Sequence, residues 1–423
     1  MTVAAVTQTY KFNLIDFDSV TWHDDEYENW HSVDAVLSSF FNTAGFTGVW
    51  KVSTAYAVGQ IAVDEVDDQT YEVLIAHTSA GSGLFSADRV ANPTFWQPWL
   101  LSHAGDTNNP HLTPVPNVLI NGSFDFWQRG TTFTTPGLTA DRMRITTGTG
   151  VSVTVTRQTN VLGTGESKFG YRWDQTAAGT ARSVISQRLE GVGTFQNQTV
   201  TISVDTQLIA GTAAVVTYRA TQNFGTGGAP SAPVIVAEKT IAVTGTRTRQ
   251  SQTMAIPSIT GKTTGTNGDD YLAIEIIIGQ DVFTMELNDW QVVAGPVAAP
   301  FERRPLEQEL ALCQRYYEKS YDVATDPGSS VASGEAILTA LGAVAQDDFL
   351  GTTAFNTKKR NPPTVTLYSI VLGTAGKVEA LSVDRAGVGD AIGQEGFATK
   401  YTDAVGVAAG SVIRWQWTAD AEL

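Results

Sequence analysis

The sequence predicts a mainly β protein, and three observations carry that reading. Charged residues make up only 17% of 423 positions, while glycine occurs 39 times among abundant Thr and Val. That mixture suits pleated strands joined by many turns. Segments such as VSVTVT, TVTISVD and YLAIEIII alternate in polarity or run as β-branched stretches, with Gly, Asn, Thr and Pro between them. No run approaches the ~18 apolar residues of a membrane span, and the length suggests about three domains.

Composition also excludes functions. A formal net charge of −16 argues against nucleic acid or an anionic membrane as partner, so neither binding nor membrane insertion is expected. A single cysteine, Cys313, excludes an internal disulfide framework and any Cys-cluster zinc site. The opening MTVAAVTQTYKFNLIDFD has no basic region before an apolar core, so it does not read as a secretory signal.

Residues 1–45 read as a short helix, with Trp30, Val33, Val36-Leu37 and Phe40-Phe41 at three- and four-residue spacing behind the acidic run Asp24-Asp25-Glu26. This segment either packs on its own domain or docks into a larger assembly through Trp22, Tyr27, Trp30, Val33 and Leu37. Residues 46–103 form a small aromatic unit, read as three-stranded, with Trp50, Tyr56, Gly59, Tyr71, His77 and Trp96. Residues 104–116, AGDTNNPHLTPVP, are a linker, because three prolines cannot pair as central strands.

The stretch Pro116 to Gly130, PNVLINGSFDFWQRG, reads as two strand halves around an Asn121-Gly122 bend, with Val118, Ile120, Phe124 and Phe126 alternating. It would be the first strand of a central β-sandwich jelly roll over residues 117–302. Further strands are expected at Val151 to Thr159, Phe169 to Asp174, Arg182 to Arg188, Thr199 to Thr206 and Ala214 to Ala220. Three more are expected at Ile241 to Thr246, Tyr271 to Ile278 and Phe283 to Val293.

Residues 303–322, RRPLEQELALCQRYYEKSYD, read as a short helix with Pro305 in its first position, Glu307 and Glu309 early and Lys319 late. Leu306, Leu310, Cys313 and Tyr317 then form one apolar stripe, which either covers the base of the sandwich or packs about a threefold axis. Cys313 on that stripe is a buried, inert thiol. Residues 323–423 read as a C-terminal β-sandwich ending in SVIRWQWTADAEL. Trp415 and Trp417 share a face, as core, as a trimer contact, or with Arg414 as a sugar platform.

No catalytic constellation emerges. The histidines His23, His31, His77, His103 and His111 all precede residue 112, and no H-E-x-x-H, G-x-S-x-G or P-loop is present. Acidic pairs occur at Asp269-Asp270 and Asp347-Asp348, but adjacency alone does not set two carboxyls across a substrate. An enzyme is not expected.

Four blocks in order, NVLINGSFDFWQRG, TADRMRI at Thr139 to Ile145, LEGVGTFQNQTVTISVD and LNDWQVVAGPVAAPFE, resemble the carbohydrate-binding-module-like jelly roll of bacteriophage tail fibres and spikes. ELALCQRYYEKSY and the ending with Trp415 and Trp417 resemble the same family, although Met143 stands where its members usually carry Trp. WHDDEYENWHSVDAVL is similar to their virion-attachment segments. The unit at 46–103 is similar to chitin-binding type 3 modules, with Ala76 and His77 where glycan binders expose aromatics, so spacer and glycan binder both remain open.

The resemblance implies a homotrimeric virion appendage, made in the host cytoplasm and docked to other virion proteins through residues 1–45. It implies attachment to host surface polysaccharide; the alternative is a structural or decorative neck or head component with no glycan ligand. No cofactor is implied beyond a structural calcium, for which Asn121, Asp125 and Asp289 are candidates, a solvated surface being the other reading of each.

Overall fold

The computed structural model describes residues 46–64, 70–98, 117–160, 167–211 and 214–423, in two compact units divided between Leu112 and Thr113. It is mainly β, as the composition predicts, with two short helices among the described residues. The docking set Trp22, Tyr27, Trp30, Val33 and Leu37, and the 104–116 linker, lie outside the described residues.

The first unit contains β1 (Phe46–Val49), β2 (Ala55–Tyr56), β3 (Ile61–Val63), β4 (Thr70–Val73), β5 (His77–Thr78), α1 (Phe85–Ala91) and β6 (Trp96–Pro98). Its main sheet has four strands, ordered β1-β3-β4-β6, rather than three, and β2 pairs with β5 apart from it. The extra strand β1 runs parallel to β3, a pairing that counting hairpins does not reveal. Rings fill the small core: Trp50 stacks on Phe85 at 5.5 Å, and Phe85 meets Trp96 edge-on at 4.5 Å. Buried Asp88 on α1 accepts from Trp96 Nε1 (3.0 Å), Asn92 Nδ2 (3.2 Å) and the Ala80 amide (3.3 Å), with His77 Nε2 at 3.4 Å. His77 also contacts the Tyr56, Phe95 and Trp96 rings, so it serves this core.

The second unit opens with β7 (Thr132–Phe133), β8 (Gly137–Leu138), β9 (Arg144–Thr146), β10 (Ser152–Thr159), β11 (Phe169–Ala177) and β12 (Ser183–Glu190). It continues with β13 (Thr199–Ala210), β14 (Ala214–Asn223), β15 (Val234–Val243), β16 (Thr248–Ala255), β17 (Tyr271–Ile278) and β18 (Phe283–Ala294). These form two six-stranded sheets, β16-β13-β18-β11-β10-β7 and β15-β14-β17-β12-β9-β8, facing each other across one core. The expected strand at Ile241 to Thr246 is displaced: β15 ends at Val243, and β16 follows unforeseen. Its sequence, TRQSQTMA, sends only Gln250 and Met254 fully inward, so polar alternation hid it.

The stretch at 117–130 is not a strand. Asn121 and Phe124 both take positive φ (59° and 54°), which breaks the alternation and turns Leu119, Phe124 and Trp127 into the core as a plug. Asn117 Oδ1 accepts from the Val292 amide (3.0 Å), its Nδ2 donates to Trp290 O (3.1 Å), and the Val118 amide donates to Val292 O (3.1 Å). The Trp290 amide donates to Gly122 O at 2.9 Å, and a Cβ on Gly122 would lie 2.1 Å from Trp290 O. Glycine is therefore required by close approach. Opening and closing blocks lie side by side, as the resemblance implies.

After the jelly roll come α2 (Leu306–Gln314), β19 (Tyr317–Lys319), β20 (Ala336–Thr339), β21 (Phe349–Ala354) and β22 (Thr364–Tyr368). The last strands are β23 (Lys377–Ala380), β24 (Val383–Asp390), β25 (Gly396–Tyr401) and β26 (Val412–Asp420). They make one antiparallel eight-stranded sheet, in which β26 pairs with β19, β20, β22 and β23. The sheet curls over itself: β25 and β26 are not neighbours, yet Phe397 and Trp417 are 5.6 Å apart in its core.

The helix is shorter than expected and faces inward. Pro305 is its N-cap, it ends at Gln314, and Tyr317 already belongs to β19. Leu306 is exposed, Leu310 half-buried, and the buried positions are Glu309 and Cys313. Glu309 accepts from the Asn121 amide and from Arg304 (3.0 Å), so α2 packs on the base of its own sandwich through Glu309 and Cys313. Burial pushes the Cys313 thiol well up, as an inert core sulfur requires.

Arginines tie the two β layers of this unit together. Arg142 lies over the Tyr316 ring at 3.4 Å and pairs with Glu422, while Arg129 lies over Tyr317 at 3.7 Å and reaches Asp420 at 3.1 Å. Lys319 donates to Gln128 O (2.8 Å), Val323 O (3.0 Å) and Thr325 O (2.6 Å), and burial lowers its pKa to about 8. At the far end of β12, Glu190 accepts from Arg315 (3.0 Å) and Tyr316 (2.5 Å).

Two outcomes follow from this packing. Asn121→Ala strands the Phe126 amide and the Phe126 and Asp141 carbonyls, and should cost about 3 kcal/mol or more in urea unfolding. A loss below about 1 kcal/mol would show that the plug does not hold the sandwich. Burial pushes the Glu190 carboxyl up, but hydrogen bonds from Arg315 and Tyr316 outweigh that and leave it lowered. A depressed carboxyl stabilises above its unfolded value and ceases to as pH falls through its folded one. Glu190→Gln should therefore lower stability slightly at pH 7, with the gap to the parent closing below about pH 4.

Candidate functional site

Strand alternation places the site. On β10, β11, β18 and β13 the residues Val155, Trp173, Met285 and Val204 point into the core, so their chain neighbours point outward. Register then aligns the outward side chains in rows. One row is Thr156, Arg172, Glu286 and Gln207, a second is Thr154, Asp174 and Thr284, and a third is Gln158, Gly170, Asn288, Asp205 and Arg249. The result is a polar face four to five strands wide, whose long side chains are mostly half-buried because they lie along it.

Its groups are paired with one another. Arg172 donates to Glu286 through Nε (3.1 Å) and Nη2 (2.6 Å), and Thr284 Oγ1 donates to Asp174 at 2.7 Å. Arg249 reaches Asp205 at 3.2 Å and Ser203 Oγ at 2.7 Å, with Phe301 5.8 Å from its guanidinium. A bulge in β18 opposite Val204 restores the alternation, sending Trp290 into the core and leaving Asp289 at φ 52° beside the face. Asn288 packs over Gly170, where a Cβ would sit 2.5 Å from Asn288 Oδ1 and push that side chain aside.

One group is less well served. Arg247 lies against Asp205 (3.4 Å) and Asp289 (3.8 Å), yet its Nε and Nη2 find no hydrogen-bond partner among the described residues. The face sets three guanidinium groups against four carboxylates, so its charge is nearly balanced. Such an array offers alternating donors and acceptors to an uncharged, hydroxyl-rich ligand, and no attraction to a polyanion.

The residues singled out in the sequence fall elsewhere. Trp415 and Trp417 do share a face, but that face is the core of the curled sheet, where they are 4% and 6% exposed. Arg414 points the other way, 3.9 Å from Glu379, so these three form no sugar platform. The calcium candidates are not gathered either. Asn121 spends its amide on Phe126 and Asp141, Asp125 pairs with Arg303 at 3.1 Å, and Asp289 bonds Ser167. Among the described residues no group of three or more His, Cys, Asp or Glu could hold a metal. Of the acidic pairs, Asp269 accepts from Thr226 and Asp270 from the Val192 amide (2.7 Å), which closes loops. The polar face was foreseeable: in YRWDQT, TISVDTQ and FTMELND every second residue is polar or charged.

No family model matches the sequence, and no curated protein does. Solved structures with likeness include the enzymatically active domain of tailspike protein 4 of bacteriophage CBA120, at 13% identity and TM-score 0.28, covering 42% of this chain. This chain spans about a fifth of that protein's length, 21%. Others are a CBM4 carbohydrate-binding module (14% identity, TM-score 0.28, 41% of this chain and 98% of that one) and a CBM22-1 xylan-binding domain from Paenibacillus barcinonensis (13%, 0.28, 44% and 97%).

If the face serves a ligand rather than the fold, its arginines should be dispensable for stability. Arg172→Ala and Arg249→Ala should each keep the thermal midpoint within about 4 °C of the parent, since partly exposed pairs contribute under about 1 kcal/mol. A much larger drop would assign them to the fold.

Proposed function

We propose that this chain is a tail-fibre or spike component of a bacteriophage virion that attaches to host cell-surface polysaccharide through the polar face of its jelly roll. The observation that carries the reading is the four-block sequence pattern over residues 117–302, whose first and last blocks interlock through Asn117, Gly122, Trp290 and Val292. The nearly neutral array of donors and acceptors around Arg172, Asp205 and Arg249 supports a polysaccharide over an anionic partner. In this reading residues 1–45 dock to other virion proteins, the chain is made in the host cytoplasm, and no catalytic step is involved.

Trimerisation belongs to the same proposal. Exposed apolar side chains are frequent in the C-terminal region, at Ile337 and Val383 on its strands and at Leu341, Leu372, Leu381 and Val405 on its turns. Repeated copies would raise the avidity of a weak face. A structural fibre component without a glycan ligand is the second reading, favoured by the internal pairing of Arg172 with Glu286.

The test is adsorption of particles carrying Arg172→Ala together with Arg249→Ala. Assembly should be normal and adsorption to host envelope at least about tenfold weaker, equivalent to ~1.4 kcal/mol in the overall binding. Full adsorption with the double variant would sink the polysaccharide reading and favour the structural one. Removing residues 1–45 should release the protein from particles; retention would refute the docking claim.

A further inference from the structure

We infer that the C-terminal sheet carries a second sugar subsite, centred on Phe349, which takes the C–H face of a pyranose in an uncharged polysaccharide. This rests on the polysaccharide reading above but lies on a different sheet from the jelly-roll face. Phe349 is 62% exposed, whereas the other aromatic side chains whose burial is described are core or half-buried. It stands on β21, the last strand in its sheet's order, and its neighbour Leu350 is core. A bulge between Phe349 and Gly351 locally shifts the register on that strand.

The surroundings match the two-sided character of a sugar. Register sets Val388, Lys400 and Phe349 in one outward row, and Asp390, Ala398 and Thr352 in the next. Lys400 Nζ lies 6.0 Å from the ring centre, 3.0 Å from Asp347 and 3.9 Å from Asp390. A pyranose stacked on Phe349 would turn its hydroxyls toward this ammonium and these two carboxylates.

Two alternatives fit less well. One ring flanked by Val388 and Ala398 among charged groups gives too little apolar area for a stable protein interface, which needs about 800 Å² per partner. Two carboxylates against one ammonium disfavour an acidic polysaccharide.

The experiment uses the full chain on a printed array of neutral and acidic bacterial surface polysaccharides, with sedimentation to follow oligomeric state. Phe349→Ala should bind the neutral polysaccharides recognised by the parent about tenfold more weakly, while Phe349→Trp binds at least as well as the parent. Sedimentation should be the same for all three. Parental binding by Phe349→Ala, alongside loss in the Arg172/Arg249 double variant, overturns this subsite and leaves the jelly-roll reading standing. Absence of all binding by the parent overturns both. Dissociation of the oligomer in Phe349→Ala, or a preference for acidic polysaccharides, overturns the subsite as well.

Discussion

The second unit depends on one close contact, between the Asn121-Gly122 turn and the backbone of Trp290. The Trp290 amide is bonded to Gly122 O at 2.9 Å, and no side chain fits at that glycine. Trp290 is thereby fixed in the core by the same bulge that restores alternation in β18 and sends Asn288 and Gln291 outward. Asn121, meanwhile, is held by the Glu309 carboxylate of α2. The opening plug, the closing strand, the outward polar face and the following helix therefore share one geometry. A shift at Gly122 would be felt by all four.

The C-terminal sheet is not an independent appendix to that sandwich. Residues Asp420 to Leu423 run among jelly-roll arginines: Arg129 and Arg142 take the carboxylates, and Arg144 (3.1 Å) and Arg188 (2.8 Å) donate to Leu423 O. A buried charge is costly unless paired, and here the pairing crosses the junction. The same logic appears at Lys359, which is fully buried against Glu318 and also donates to Gln314 O and Thr357 O, both at 2.8 Å. Breaking either layer leaves unmatched charge in the other. Truncating residues 323–423 would for this reason disturb the jelly roll, so point substitutions on exposed faces are the cleaner probe of function.

Much of the fold was legible from the sequence because strands with one buried face write their period directly. VSVTVT, TVTISVD and YLAIEIII became β10, β13 and β17 within a residue or a few of their expected bounds. What was not legible had physical causes. The opening stretch alternates like a strand, but positive φ at Asn121 and Phe124 cannot be read from apolar spacing. The stripe from Leu306 to Tyr317 overruns the helix because Tyr317 is drawn into pairing with Asp420 on β26. Alternation told correctly that Trp415 and Trp417 share a face, but the curl of the sheet decides that this face is inside.

That last outcome shapes how the protein could hold a ligand at all. Large rings are consumed in closing three small cores, with Trp50 and Trp96 in the first unit, Trp173 and Trp290 in the jelly roll and Trp415 and Trp417 in the last sheet. On the polar face of the jelly roll the groups other than Arg247 are largely paired already, so a ligand hydroxyl there gains only the difference between two hydrogen bonds. Each such contact is weak. Attachment through that face would then rest on several hydroxyls engaged together rather than on one strong contact.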